Sequence, residues 1–414
     1  MLSHIKANQS LILSLLIGLF FILILHFKIS YSLIPILLAL TGLGLLYLSI
    51  KQKNGQWDSQ TKWLVGTFGV YFLLFVLSLV IHKGKANELD LASRALLALP
   101  ILAVCLKTRL KHLWILYAIL ISGLIAGGVA LVQVFGVGFA KPFPRFMHIQ
   151  AGDIVMSLAV FAFCALFYFY AKRNKMMIGI SLIAALVAMI ASFLTGARGA
   201  WIGVPFVLLV VFWLNRKNLS KWVVIGIACV VVIGSITGGN MIKQRFAKAQ
   251  SDITLYVEKN NANTSLGARF DMWESAVLGI QEKPILGWGL QGVKEMRQQH
   301  LKEKKISKYA ASFDHAHNQF LHDGSARGLL GLAALLAIFL VPLNILRKNL
   351  SRAPTDSLAN LWGVMGISHI LLTMSYCLSQ GFLSHTSGAM FYFVAVILFI
   401  GLQKNAMNQP LAKE

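Results

Sequence analysis

Residues 312–331, SFDHAHNQFLHDGSARGLLG, place three histidines, two aspartates and an asparagine directly ahead of a long apolar run. An imidazole titrates near pH 6.5, so a neutral histidine is a natural proton acceptor at neutral pH. An aspartate such as Asp314 can orient it by accepting its N–H. His315 and His317 stand one residue apart. On a helix they diverge by about 200°, whereas on an extended segment they share a face. His317 and His322 are five apart and no H-x-x-x-H pair occurs, so the spacing argues for proton chemistry over a metal centre. The plainer alternative is a set of interfacial histidines bonded to loop backbone.

Arginine supplies the second chemistry. In TGARGAW, residues 195–201, Arg198 lies between Gly196 and Gly199. The glycines leave room for a ligand, and a helix starting at Gly199 turns its positive end toward it. Arg145, in KPFPRFMHIQAGD, follows Pro142 and Pro144, which stiffen the chain. Arg269, in SLGARFDMW, has Asp271 and Glu274 nearby, although i,i+2 neighbours on a helix do not face each other. Each arginine alone reads equally as a lipid-headgroup anchor or a paired surface charge. Converging from three separate segments, they would bind a diphosphate, because the planar guanidinium grips oxygens bidentately and stays charged. Arg327, in GSARGLLGL, is either an anchor or a ligand contact, and His369, Cys377, Gln380 and His385 read as packing or pore-edge residues.

A membrane must carry these groups. Of 414 residues, 57% are hydrophobic and 13% charged, and the mean hydropathy is +0.70, which marks an all-α polytopic membrane protein. Apolar runs at 10–27, 31–50, 63–82, 92–106, 112–136, 153–171, 176–194, 199–214, 221–238, 328–346, 358–379 and 383–402 predict about 12 transmembrane helices. The first lacks a small-residue cleavage site and reads as a retained helix. With the N-terminus inside, the cytoplasmic segments hold about 18 Lys and Arg and the short outer segments about 7, so both termini are expected in the cytoplasm. Cys105, Cys164, Cys229 and Cys377 lie in or beside apolar runs without C-x-x-C spacing, as small hydrophobes do.

The expected domains are 1–238, with helices 1–9; 239–327, one large, mainly helical extracytoplasmic loop; and 328–414, with helices 10–12 and a short tail. Within the loop, Thr264 or Ser265 caps a helix on which Phe270, Trp273, Ala276 and Val277 share a face. EKPILGWGLQGV reads as a turn or re-entrant segment. A charged helix over Gly292–Lys305 is expected to lie on the membrane surface. The loop carries thirteen Lys or Arg against nine Asp or Glu, so the net +23 resides mainly in the cytoplasmic anchors and does not indicate nucleic-acid binding.

TGARGAW, TSLGARFDMWESA, EKPILGWGL and HAHNQFLHDGSARGLLGL, in this order around one large outer loop, resemble the O-antigen ligase family and the related O-antigen polymerases. NTSLGAR, H-x-H-N and G-S-x-[K/R]-G-L are most similar to the enterobacterial-type lipopolysaccharide ligases. The resemblance implies a fold like the C-type membrane glycosyltransferases, with a cavity open to the outer leaflet of the bacterial inner membrane. It implies a metal-independent, cofactor-free, inverting transfer of O-antigen glycan from undecaprenyl diphosphate to the outer-core sugar of lipid A-core. By motif, His317 matches the family's essential histidine and Arg198, Arg269 and Arg145 its arginines. His315, Asn318, His322 and Arg327 are expected to line the substrate site beside them. Ala326 stands where many relatives of the wider superfamily carry a glutamate, which favours ligase over polymerase. Transfer to protein, as in the O-oligosaccharyltransferases, is the other alternative within the superfamily. A transporter would place charges within its apolar runs and show related halves, neither of which is evident.

Overall fold

The computed structural model describes residues 2–27, 29–52, 57–219, 239–259, 262–313 and 315–409. The expected ninth span, 221–238, and Asp314 lie outside the described residues. Among the described residues the chain is helical, without strands. Among the described residues, nine helices are long and apolar enough to cross a membrane, and two shorter apolar helices, Asn8–Leu23 and Gly199–Asn215, match the expected first and eighth runs. The protein is a multi-pass membrane protein.

In chain order the helices are α1 (Leu2–Leu23), α2 (Ser30–Lys51), α3 (Ser59–Ile81), α4 (Leu89–Ala98), α5 (Ile101–Lys107), α6 (His112–Leu131), α7 (His148–Ala171), α8 (Lys175–Thr195), α9 (Gly199–Ile202) and α10 (Val204–Asn215). They continue with α11 (Gly239–Lys259), α12 (Ser265–Glu282), α13 (Gly292–Lys302), α14 (Lys308–Ala311), α15 (Gln319–Leu350), α16 (Leu358–Ser379) and α17 (Thr386–Asn408). The expected fourth span is two helices, α4 and α5, broken at Leu99–Pro100, because proline supplies no amide hydrogen to continue the first. Two compact units emerge: residues 1–73, 87–215 and 334–414, and residues 74–86 and 216–333.

The first unit is built on α17, whose membrane window is 89% buried, against 22% for α3, so α17 is core and α3 is coat. Apolar surface gains little from helix association when lipid is equally apolar, so close packing must hold the bundle. Small residues allow it: a Cβ on Gly127 of α6 would fall 2.1 Å from the Val187 side chain of α8. Phe20, Phe21, Phe161, Phe391 and Phe399 fill the centre with offset and edge-to-face contacts.

The second unit is organised by α12. Its N-terminus is capped as the sequence predicts, the Gly267 N–H donating to Thr264 Oγ1 at 3.0 Å. Ala268, Asp271, Met272, Ser275, Ala276 and Gly279 are its buried stripe, while Val277 of the predicted face is exposed. Ala268 and Met272 pack with Ala310 of α14 and with Phe313. Val293 and Met296 of α13 pack with Ala326 of α15 and with Trp288.

The segment EKPILGWGL is a strap bound to a kink. α15 begins nine residues before the apolar run expected to start at 328, and it breaks at Gly328, with φ 66° and ψ −164°. A Cβ there would meet the Ile285 carbonyl carbon and oxygen at 2.3 Å. Only glycine tolerates both the backbone angle and that approach. The Trp288 and Gly289 amides donate to the Ser325 and Ala326 carbonyls at 2.9 and 2.8 Å, and the Leu329 amide to the Pro284 carbonyl at 2.7 Å. The groups released by the kink are thereby paired.

Candidate active site

The histidine turn sits between α14 and α15 in the second unit. Asn318 closes it by capping α15: its Oδ1 accepts the Phe320 and Leu321 amides at 3.0 and 3.2 Å. His317, just before the cap, has φ 47°, uncommon for a residue with a Cβ. Two side chains brace the turn. Trp273 of α12 donates its indole N–H to the Ala316 carbonyl at 3.0 Å, and Arg297 of α13 donates to the Phe313 carbonyl. The His315 and His317 rings lie 4.2 Å apart and nearly perpendicular, with the His317 amide donating to His315 Nδ1 at 3.4 Å. The edge-to-face ring of Phe313 flanks His317 at 5.4 Å. The spacing therefore resolves in favour of neighbouring imidazoles.

Arg269 lies one helical turn before Trp273 on α12, hence on the same side as the residue that grips the turn. It is half-buried and, among the described residues, forms no salt bridge. Asp271, considered as its partner, instead accepts the Ser307 amide at 2.7 Å. Burial lowers the pKa of the Arg269 guanidinium from its ordinary value. Burial, then His315, then the charges of Arg269 and Arg297 bring His317 down to about 4. The imidazole is neutral at neutral pH and faces an electropositive surrounding.

Arg297 escaped the sequence reading, which treated the whole of α13 as a charged surface helix. Val293, Met296, Arg297 and His300 form its buried stripe, and Arg297 is only 1% exposed. Their spacing of three, four and seven was the available signal. Three further predicted residues serve the start of α15. Asn318 is the cap, His322 is buried with its amide on the Asn318 carbonyl, and Arg327 pairs with Asp323 while lying 3.6 Å above the Phe75 ring. Arg327 thus already has a countercharge.

Arg145 and Arg198 belong to the first unit, where both are exposed. Gly196, in the left-handed conformation at φ 72°, ends α8, and Arg198 precedes α9. The Arg145 segment is close by: Lys141 Cε lies 3.9 Å from a Cβ built on Gly196. Beneath the turn, Gly199 abuts Ser379. Gln380, read from sequence as isolated, donates to the buried carboxylate of Asp153 and accepts from Gln150 at 3.5 Å. His369 is fully buried against Phe391 and Tyr392, with Nε2 3.3 Å from the Tyr392 carbonyl.

A half-buried neutral imidazole under the field of a guanidinium that forms no salt bridge among the described residues can accept a proton from a hydroxyl while the cation holds an anionic leaving group. Comparison with known proteins gives the same class. A family model described as O-Antigen ligase matches residues 183–336. That interval runs from α8 through the histidine turn to the kinked part of α15. A Haemophilus influenzae protein, named only as an uncharacterized protein, is 40% identical over 392 residues, covering 94% of this chain and 97% of its own length. The family is one of glycosyltransferase-like enzymes acting on lipid-linked glycans at a membrane, and this chain belongs to the O-antigen ligase family.

Proposed function

We propose that the protein is the lipopolysaccharide O-antigen ligase of its cell, an inverting glycosyltransferase at the periplasmic face of the inner membrane. It moves O-antigen glycan from undecaprenyl diphosphate to the outer-core sugar of lipid A-core. The observation that carries this reading is the neutral His317 beside Arg269, whose charge no described carboxylate neutralises.

In the proposed step the acceptor hydroxyl attacks the anomeric carbon, the new C–O bond forms, and the bond to the diphosphate oxygen breaks from the opposite face. The hydroxyl proton passes to the His317 imidazole, and undecaprenyl diphosphate departs with the electron pair. Because the leaving group is already a good one, orienting the hydroxyl and stabilising the developing charge are the work required. Arg269 supplies charge stabilisation. A bound diphosphate also opposes the arginine fields on His317 and raises its pKa, making the imidazole a stronger base when substrate is present. For Arg145 and Arg198 the assignment to donor binding rests on their motifs.

The test uses the full chain in lipid nanodiscs with a lipid-diphosphate glycan donor and lipid A-core. Wild type is expected to form conjugate, with and without a chelator, and His317→Ala to lose about 10²- to 10⁴-fold. Wild-type turnover by His317→Ala would remove the reading. Donor incubated alone separates the polymerase alternative, which lengthens glycan without an acceptor, and a pilin-like acceptor probes protein glycosylation.

A further inference from the structure

Arg297 sits where a cation is costly, fully inside the second unit on the buried stripe of α13. Its contact with the Phe313 carbonyl falls four residues before His317, on the residue whose ring flanks that imidazole. The helix presenting it is itself locked. One turn along, fully buried His300 joins Ser275 Oγ at 2.8 Å through Nδ1 and Glu282 Oε1 at 3.1 Å through Nε2, both on α12. Met296 packs so closely on α12 that a Cβ on Gly279 would lie 2.0 Å from its sulfur.

We infer that Arg297 is the positioning residue of the histidine turn, a buried guanidinium that holds the Phe313 carbonyl and thereby sets how the His317 imidazole is presented toward Arg269. The assignment rests on the proposed role of His317 as proton acceptor. The turn has an uncommon backbone angle at His317, its last residue before the Asn318 cap, and such angles persist where the surroundings over-determine them. Trp273 on the Ala316 carbonyl and Arg297 on the Phe313 carbonyl are external braces of the turn. They come from different helices, and the His300 bonds keep those helices in register. Arginine suits the role because its planar fork can hold a carbonyl and still meet other groups, whereas lysine offers a single flexible point charge. Arg297 also adds to the positive field on His317.

The test compares Arg297→Met and Arg297→Lys with wild type in nanodiscs. The first readout is independent of turnover: carbethoxylation of His317 against pH, resolved by peptide mass spectrometry and normalised to His148. Wild type should titrate near pH 4. Releasing the turn and removing a positive charge should move the methionine variant's midpoint up toward about 6.5. Turnover should fall about 10- to 100-fold, the scale of a misplacement of about 1 Å, while donor KM stays within about twofold. The lysine variant keeps charge near the turn and serves if the methionine variant does not fold, with a midpoint between the two. A wild-type titration in whichever variant folds would overturn the inference. So would a raised donor KM with unchanged kcat, since that marks a ligand contact. If His317→Ala retains full transfer, the proposed function fails while the titration still decides whether Arg297 holds the turn.

Discussion

Replacing Arg269 with alanine separates chemistry from folding more cleanly than any other change at this site. The guanidinium is half-buried without a salt bridge among the described residues, and burial disfavours its charged form. Removing it breaks no ion pair among the described residues and abolishes a desolvation cost, so stability should stay within about 0.5 kcal/mol of wild type or rise slightly. The effect on transfer should be far larger. Losing one preorganised donor to a developing oxyanion costs about 2.7–4 kcal/mol, a fall in kcat of about 10²- to 10³-fold. Arg269→Lys should recover part of this, because a charge remains while the bidentate fork is lost. The field that Arg269 exerts on His317 also disappears, so the acid limb of kcat/KM should move to higher pH. Single-turnover transfer from a fluorescent lipid-diphosphate glycan, run across pH alongside thermal melting, reads all three effects. Wild-type kcat/KM in the alanine variant would refute the reasoning, and so would a loss matched by a collapse in melting temperature.

In wild type, kcat/KM for the free enzyme should hold across the neutral range and decline as pH falls through about 4, where His317 takes up a proton. The same group bears on folding: its folded pKa lies below the unfolded value of about 6.5, so the unfolded chain binds the proton first. Its contribution to stability is therefore present above about pH 6.5 and lost as pH falls toward 4, which melting curves in that window should register as a decline. Gly328→Ala should destabilise the second unit by about 1–3 kcal/mol or more, since the side chain requires a backbone angle reserved for glycine and collides with the Ile285 carbonyl. Protease sensitivity between α12 and α15 reads this out, and an unchanged digestion pattern would show that the kink relaxes freely.

The amino-acid sequence alone was enough to recognise a membrane protein and the approximate places of its apolar helices. Twenty-residue apolar runs and the bias of Lys and Arg between loops are local properties imposed by the bilayer. It also narrowed the helix cap to Thr264 or Ser265, of which the structure uses Thr264, and marked the glycine-punctuated strap and the His315–His317 pair, because caps, turns and spacing are written over a few residues. Tertiary structure decided which polar groups are already spoken for. Asn318 and Arg327 looked available in the sequence, yet one caps α15 and the other pairs with Asp323; Gln380 looked isolated, yet meets the carboxylate of Asp153 across the bundle. Arg297 looked like surface charge and is a buried brace. A hydrogen bond or ion pair between distant segments depends on how their helices pack, and nothing within either segment encodes the identity of its partner.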